Sequence, residues 1–259
     1  MQDLIIGLLQ VDQAWQNPQE NRNRIEDAIK NQSSADLILI PEMAFTGFTT
    51  NAEEYAEEWD NSESISWLNE QSLRYNTAFY TSLLIKSDGQ FYNRGVFVSE
   101  GMVIAHYDKQ HLFAFAGEDS VFESGKTQTI VSFKGWKINL QICFDLRFPE
   151  GARNLVIGGN PAYDLLLYVA NWPSRRISHW DSLLLARAIE NQCYVAAVNR
   201  VGVDGNHIEY NGHSCLIAAD GSYVEPPVQG KEGLVLQPIS FDKLIDLRKS
   251  LPFLKERKG

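Results

Sequence analysis

Short apolar runs separated by polar, helix-like stretches dominate the hydrophobic pattern of the chain. A continuous apolar run of four to eight residues is typical of a buried strand. The pattern predicts strands over residues 4–9, 37–40, 79–85, 91–98, 102–107, 129–133, 136–142, 163–170 and 194–198. Gly-containing turns at residues 87–89 and 99–101 join three of these strands into a predicted meander.

Amphipathic stretches between these runs predict helices over residues 19–30, 63–74 and 177–192, the first beginning near Pro18. A fourth helix is expected over residues 149–157. Residues 108–126 are expected to be irregular, and the chain from about residue 238 to form a polar tail. Since no linker, repeat or low-complexity block interrupts the pattern, we expect one domain over residues 1–259, of α/β class (α+β, with mixed sheets).

The composition fits an ordinary globular protein and narrows its partners. Of the 259 residues, 44% are hydrophobic and 22% are charged, which argues against disorder. The net charge of −10 disfavours nucleic acids and anionic membrane surfaces as partners. Three cysteines do not suit a secreted disulfide framework. The N-terminus lacks a basic leader and no apolar run approaches ~20 residues, so we expect a cytoplasmic protein.

Cys143 is the first candidate for chemistry. It follows the predicted strand 136–142, and a helix expected just after it would aim backbone N–H groups at the site and favour the reactive thiolate. The alternative, a buried cysteine acting as a small hydrophobic residue, is equally supported by this segment alone. Cys193 and Cys215 lie in apolar strand patterns, where that structural role is favoured. The five histidines and the cysteines lack zinc-site spacing, so no metal is expected.

Two charged residues also follow apolar runs. Glu42 comes just past the predicted strand 37–40, where a carboxylate is costly unless it is paired or functional. Taken alone, such a residue is more often a helix cap or a loop charge. Lys109 stands at the head of the irregular stretch 108–126, where an isolated lysine is usually solvated. Neither residue identifies a function by itself.

Three segments in the same order and rough spacing resemble the nitrilase superfamily of carbon–nitrogen hydrolases: residues 41–42 (Pro-Glu), 109–112 (Lys-Gln-His-Leu) and 143–149 (Cys-Phe-Asp-Leu-Arg-Phe-Pro). The resemblance runs from Leu4 to about Pro238, and residues 171–173 and 186–195 support it. It implies a four-layer α-β-β-α sandwich and a Glu-Lys-Cys triad, each member at a strand end.

The resemblance also implies a role for each member of the triad. Glu42 would act as the general base toward Cys143, and Lys109 would stabilise the oxyanion together with the backbone N–H of Phe144. The reaction would then pass through a thioester. Many relatives have Tyr at the position of Phe144, but the role of this residue requires only its backbone. No cofactor is implied.

Family members often carry a second glutamate after the lysine. Glu118 is the favoured residue and Glu123 the competitor. Glu118 would orient either Lys109 or the substrate amide, and two carboxylates around one lysine would keep it charged. The resemblance further implies a homo-oligomer, with a dimer expected.

The segment 143–150 is most similar to the omega-amidase branch, as are residues 170–173, which include Trp172, and residues 197–202. That branch hydrolyses the terminal amide of dicarboxylic acid monoamides such as 2-oxoglutaramate or succinamate. The free carboxylate of such a substrate needs a cation, and Arg147, Arg175 and Arg176 are the candidates. A structural salt bridge is an equal alternative for Arg147. Two functional alternatives remain open: a nitrilase or another carbon–nitrogen hydrolase, and a non-catalytic binding protein on the same scaffold.

Overall fold

The computed structural model describes residues 2–30 and 34–257, so the expected single domain also includes residues 1, 31–33, 258 and 259, which lie outside the described residues. The strands are β1 Leu4–Gln10, β2 Leu37–Leu39, β3 Glu57–Glu58, β4 Ala78–Ser87, β5 Gln90–Ser99, β6 Met102–Asp108, β7 Ile130–Phe133, β8 Trp136–Ile142, β9 Val156–Ile157, β10 Asn160–Pro161, β11 Leu165–Ala170, β12 Tyr194–Asn199, β13 Val201–Val203, β14 Glu209–Ile217, β15 Val228–Gln229 and β16 Gly233–Ile239. The helices are α1 Pro18–Ile29, α2 Ala52–Tyr55, α3 Glu63–Tyr75, α4 Ile177–Asn191 and α5 Phe241–Ser250.

Two mixed sheets contain most of these strands. The first has the order β16-β1-β2-β4-β5-β6, with β3 beside β4. The second has the order β13-β14-β12-β11-β8-β7, with β15 beside β14. Strands β1, β2 and β4 run parallel in the first sheet, and β8, β11 and β12 run parallel in the second. Parallel strands need crossover connections: α1 lies between β1 and β2, α3 between β2 and β4, and α4 between β11 and β12, whereas β8 and β11 are joined through turns and the short strands β9 and β10.

The sheets pack face to face, with β1 against β12, β4 against β11 and β5 against β8. The alternation along β2 shows how the layers arise: Leu37 and Leu39 point into the core between the sheets, whereas Ile38 and the following Ile40 pack beneath α1 and α3. Helix α4 covers the outer face of the second sheet with its buried Trp180 and neighbours. The expected four-layer α-β-β-α sandwich is confirmed.

Two local expectations were wrong. Residues 149–157 form turns and β9 instead of a helix, because the Asn154 side chain bonds to Asn191 and Tyr163 and ties this segment to the sheet. The chain beyond about residue 238 is not a polar tail, since it completes β16 and forms α5. This helix packs at the starts of β8 and β12, where the rings of Phe241 and Trp136 meet edge to face at 5.2 Å.

No helix among the described residues is both long enough and apolar enough to span a membrane.

Candidate active site

The site forms where strands of both sheets end. Glu42 follows β2 after two residues, Lys109 follows β6 directly, and Cys143 and Asn171 follow β8 and β11 directly. Parallel strands place their carboxyl ends at one edge of a sheet, and the two sheets bring these edges together. Polar side chains that are far apart in sequence therefore meet in one buried cluster.

Cys143 lies at a sharp turn from β8 into a short 3₁₀ helix, Cys143–Arg147. Its φ of +42° is in the left-handed region, which non-glycine residues rarely occupy and which is common at functional sites. The buried Asp145 carboxylate supports this turn by accepting hydrogen bonds from the backbone N–H of Ile142 at 3.1 Å and from Tyr107 Oη at 2.9 Å. It also accepts a hydrogen bond from the backbone N–H of His111 at 2.9 Å, and this bond ties the turn at Cys143 to the loop that carries Lys109.

Lys109 lies between two carboxylates in the protein interior. Its Nζ donates to Glu42 Oε1 at 2.9 Å and to Glu118 Oε1 and Oε2 at 2.9 and 2.8 Å. The lysine is 1% exposed and both glutamates are 0% exposed. Ions this deeply buried persist only when they are paired and hydrogen-bonded, so the three charges form one unit.

Neutral donors complete the coordination of the two carboxylates. Asn93 Nδ2 donates to Glu42 Oε1 at 2.8 Å and to Glu118 Oε1 at 3.0 Å. The backbone N–H of Asn171 donates to Glu42 Oε2 at 3.0 Å, and that of Phe113 to Glu118 Oε2 at 2.7 Å.

The protonation states follow from this environment. Burial by itself lowers the pKa of Lys109, but the negative charges of Glu118 and Glu42 outweigh burial, and the net shift is upward. The ammonium is therefore charged at neutral pH. Burial raises the pKa of Glu118, an effect that the charge of Lys109 partly offsets.

Cys143 behaves differently from our expectation of a favoured thiolate. Burial and the negative charge of Glu42 raise the pKa of Cys143 well above its usual value, although Lys109 acts in the opposite direction. The 3₁₀ helix after it has only five residues, so little dipole stabilisation opposes these effects. The resting residue is a thiol.

A pocket of about 530 Å³, including its open mouth, leads to Cys143. Its walls combine the cluster with aromatic and cationic side chains: Glu42, Phe48, Lys109, Phe113, Ala116, Cys143, Phe144, Arg147, Asn171, Trp172, Pro173, Arg175, Arg176, Ile208 and Tyr210. A concave, largely aromatic lining with a few convergent polar groups is typical of a small-molecule site.

Three arginines stand at the outer part of this pocket. The Arg147 guanidinium lies 4.7 Å from the centre of the Trp172 ring and 5.8 Å from that of Phe144. Burial and the positive charges of the neighbouring arginines lower the pKa of Arg176. None of the three arginines has a carboxylate ion-pair partner within residues 2–30 and 34–257. The mouth therefore carries positive charge that no described carboxylate neutralises.

The structure brings together the nine residues predicted for the site. Eight of them line the pocket: Glu42, Lys109, Cys143, Phe144, Arg147, Trp172, Arg175 and Arg176. Glu118 contacts Lys109 directly, whereas Glu123 is solvent-exposed.

Two residues of the cluster were missed by the sequence reasoning. Asn171 lay in a segment used only to support the resemblance. The signal for Asn93 was an asparagine inside the predicted strand 91–98, where an amide without a partner is costly. Among the described residues, no group of three or more His, Cys, Asp and Glu side chains is arranged to hold a metal ion.

The geometry predicts selective alkylation of Cys143. Iodoacetamide should modify Cys143 in the folded protein, because Cys143 lines the pocket and Glu42 can accept its proton. Cys193 and Cys215 should react only after unfolding, since both are 0% exposed and burial raises the pKa of Cys193 to about 12. Peptide mass spectrometry before and after denaturation measures this, with Cys143→Ala as the control. Equal labelling of Cys193 or Cys215 in the folded protein would contradict the geometry.

Comparisons with known proteins place the chain in a family. It is 38% identical to the omega-amidase YafV of Yersinia enterocolitica over 97% of this chain and 96% of that protein. It is 34% identical to the 2-oxoglutaramate amidase of Bacillus subtilis strain 168, over 95% of both chains. The crystal structure of XC1258 from Xanthomonas campestris, a CN-hydrolase superfamily protein with an arsenic adduct in its active site, superposes with a TM-score of 0.96 at 37% identity, covering 100% of this chain and 98% of that one. The sequence model of the carbon–nitrogen hydrolase family matches residues 5–249, and the chain belongs to this family.

Proposed function

We propose that this protein is an omega-amidase, which hydrolyses the terminal amide of a small dicarboxylic acid monoamide such as 2-oxoglutaramate or succinamate. The observation that carries the proposal is the pocket itself. A buried Glu-Lys-Glu cluster and a cysteine lie at its floor, and arginines that have no carboxylate partner among the described residues lie at its mouth. The similarity to proteins named omega-amidase and 2-oxoglutaramate amidase supports the same substrate class.

In the proposed acylation step, Cys143 Sγ attacks the amide carbon while Glu42 takes the thiol proton. The thiol is protonated at rest, so proton transfer accompanies the attack. The carbonyl oxygen becomes an oxyanion, which is stabilised by Lys109 and the backbone N–H of Phe144. An ammonium has three donors, and here they face Glu42 Oε1, Glu118 Oε1 and Glu118 Oε2, so one N–H now shared with Glu118 would turn to this oxygen.

The tetrahedral intermediate then collapses. Glu42 returns its proton to the nitrogen, the C–N bond breaks, and ammonia leaves while the acyl group stays on Cys143 as a thioester. A water molecule that has given a proton to Glu42 attacks the thioester carbon. The second tetrahedral intermediate formed in this way collapses, which releases the carboxylic acid, and Glu42 returns the proton to the sulfur of Cys143. The sum is one amide and one water converted to one acid and one ammonia.

The substrate's distal carboxylate would bind at the arginines. Arg147 and Arg176 both interact electrostatically with Cys143 and line the same pocket. The Trp172 and Phe144 rings hold the Arg147 guanidinium, which pre-organises it for a carboxylate. Arg176 lies 5.3 Å from the centre of the Phe113 ring on the pocket wall, and Arg175 is exposed at the mouth.

Glu118 is expected to be required although it does not contact the substrate carbon in this mechanism. Glu118→Gln should lower kcat by about 10²–10⁴-fold, because Lys109 loses one of the two charges that fix its position. Glu123→Gln, a matched change at an exposed carboxylate, should leave kcat near that of the wild type. Ammonia release and thermal unfolding measure the two effects separately. An active Glu118→Gln with an inactive Glu123→Gln would assign the second glutamate to residue 123.

Recognition of the distal carboxylate predicts a substrate preference. Succinamate should be hydrolysed with a kcat/KM about 10- to 100-fold above that of butyramide, which lacks the carboxylate, because a hydrogen bond to a charged group contributes about 1.5–3 kcal/mol. Arg147→Ala should remove most of this preference by slowing succinamate and not butyramide.

The control for that experiment is Arg153→Ala, since Arg153 is exposed and does not line the pocket. It should preserve the preference. Faster hydrolysis of butyramide, or of the matching nitrile, by the wild type would refute the proposed substrate class. If Arg147→Ala lowers kcat/KM equally for succinamate and butyramide, Arg147 does not recognise the carboxylate.

A further inference from the structure

Asn93 occupies a position that the reaction scheme above does not use. It lies inside β5 and is 0% exposed, with its side chain between the two glutamates. Its Nδ2 has two N–H groups, and their acceptors are Glu42 Oε1 and Glu118 Oε1. Its backbone carbonyl accepts the backbone N–H of Lys109 at 3.0 Å. One residue thus contacts all three members of the charged cluster.

The Asn93 side chain leaves one of its polar atoms without a partner. Its Oδ1 is buried and has no hydrogen-bond partner among the described residues, which is an unfavourable environment for an amide oxygen. The opposite orientation of the amide would place Oδ1 against two carboxylate oxygens, where it would be repelled. The amide therefore contributes through its two donors.

These donors determine which oxygen of Glu42 is free. Oε1 accepts from both Lys109 Nζ and Asn93 Nδ2, which uses its two lone pairs. Oε2 accepts only the backbone N–H of Asn171 within the described part of the chain, and it keeps one lone pair. A proton moving to Glu42 from the thiol or from water consequently has one acceptor site.

We propose that Asn93 is a positioning residue: by donating to Glu42 Oε1 and Glu118 Oε1 it keeps both carboxylates ionised and makes Oε2 of Glu42 the oxygen that exchanges protons with Cys143, water and the leaving amine. The inference rests on the proposed amide hydrolysis. The titratable groups that face the cluster are Glu42 beyond β2, Tyr80 on β4, Lys109 beyond β6, Glu118 in its 3₁₀ turn and Cys143 beyond β8.

The test is Asn93→Leu, which keeps the branched shape and removes both donors. kcat for succinamate should fall by about 10- to 100-fold, the loss expected for hydrogen bonds to a charged acceptor, whereas KM should stay within about twofold. Loss of donors disfavours the ionised carboxylates, so they bind protons at higher pH. The acid limb of the kcat profile should therefore move to higher pH by about one unit.

Asn93→Ala is the second variant, for use if the Leu variant folds poorly, because it adds no bulk. It should show the same fall in kcat and the same upward move of the acid limb. Asn154→Ala is the matched control: Asn154 is also buried and also donates twice, to Tyr163 and Asn191 carbonyls, but at the opposite end of the sheet. It should lower the melting temperature without moving the acid limb.

An unshifted acid limb in a folded Asn93 variant, or a kcat loss no larger than that of Asn154→Ala, would overturn the role of Asn93. Failure of the proposed function is distinguishable, because it would appear as an inactive wild type. In that case the pH dependence of Cys143 alkylation by iodoacetamide, measured without substrate, still tests the role of Asn93. Its midpoint should move upward in Asn93→Ala and not in Asn154→Ala.

Discussion

The ammonium of Lys109, held between Glu42 and Glu118 with almost no solvent contact, is the interaction on which the site depends. Removing one partner from such a buried ion pair typically costs about 3–5 kcal/mol, because the remaining charge is left uncompensated. The chain must therefore bring three distant segments together with little tolerance. The two sheets do this by ending β2, β6 and β8 at one place, and the thiol of Cys143 enters a cluster whose charges are already fixed.

A third buried carboxylate, that of Asp145, fixes the positions of these segments relative to one another. It accepts hydrogen bonds from Ile142 at the end of β8, from Tyr107 on β6 and from His111 in the loop after Lys109. The strained turn at Cys143 and the loop that follows Lys109 are thus supported by the same buried group. In the proposed mechanism this links the nucleophile to the oxyanion donor, which is the kind of pre-organisation that electrostatic catalysis requires.

Much of this could be predicted from the sequence, for physical reasons that differ between residues. Most strands could be predicted because a strand buried on both faces appears as a short continuous apolar run. Glu42, Lys109 and Cys143 were visible as residues at the ends of such runs. The choice of Glu118 over Glu123 needed the family resemblance. Asn93 was not found, since its role depends on two glutamates that approach it from other elements. The expected helix at 149–157 failed because the Asn154 side chain bonds to the backbones of Tyr163 and Asn191 outside that segment, which no local pattern reveals.

The thiol of Cys143 is protonated at rest, so in the proposed reaction attack on the amide carbon and proton transfer to Glu42 occur together, and the acyl group then stays on Cys143 as a thioester. Partitioning with hydroxylamine tests this intermediate most directly. If succinamate and the methyl monoester of succinate both form the same succinyl thioester, they must yield hydroxamate and acid in the same ratio at each hydroxylamine concentration, and Cys143→Ala must yield no hydroxamate. Different ratios from the two substrates, or hydroxamate formation by Cys143→Ala, would contradict a common acyl-enzyme on Cys143.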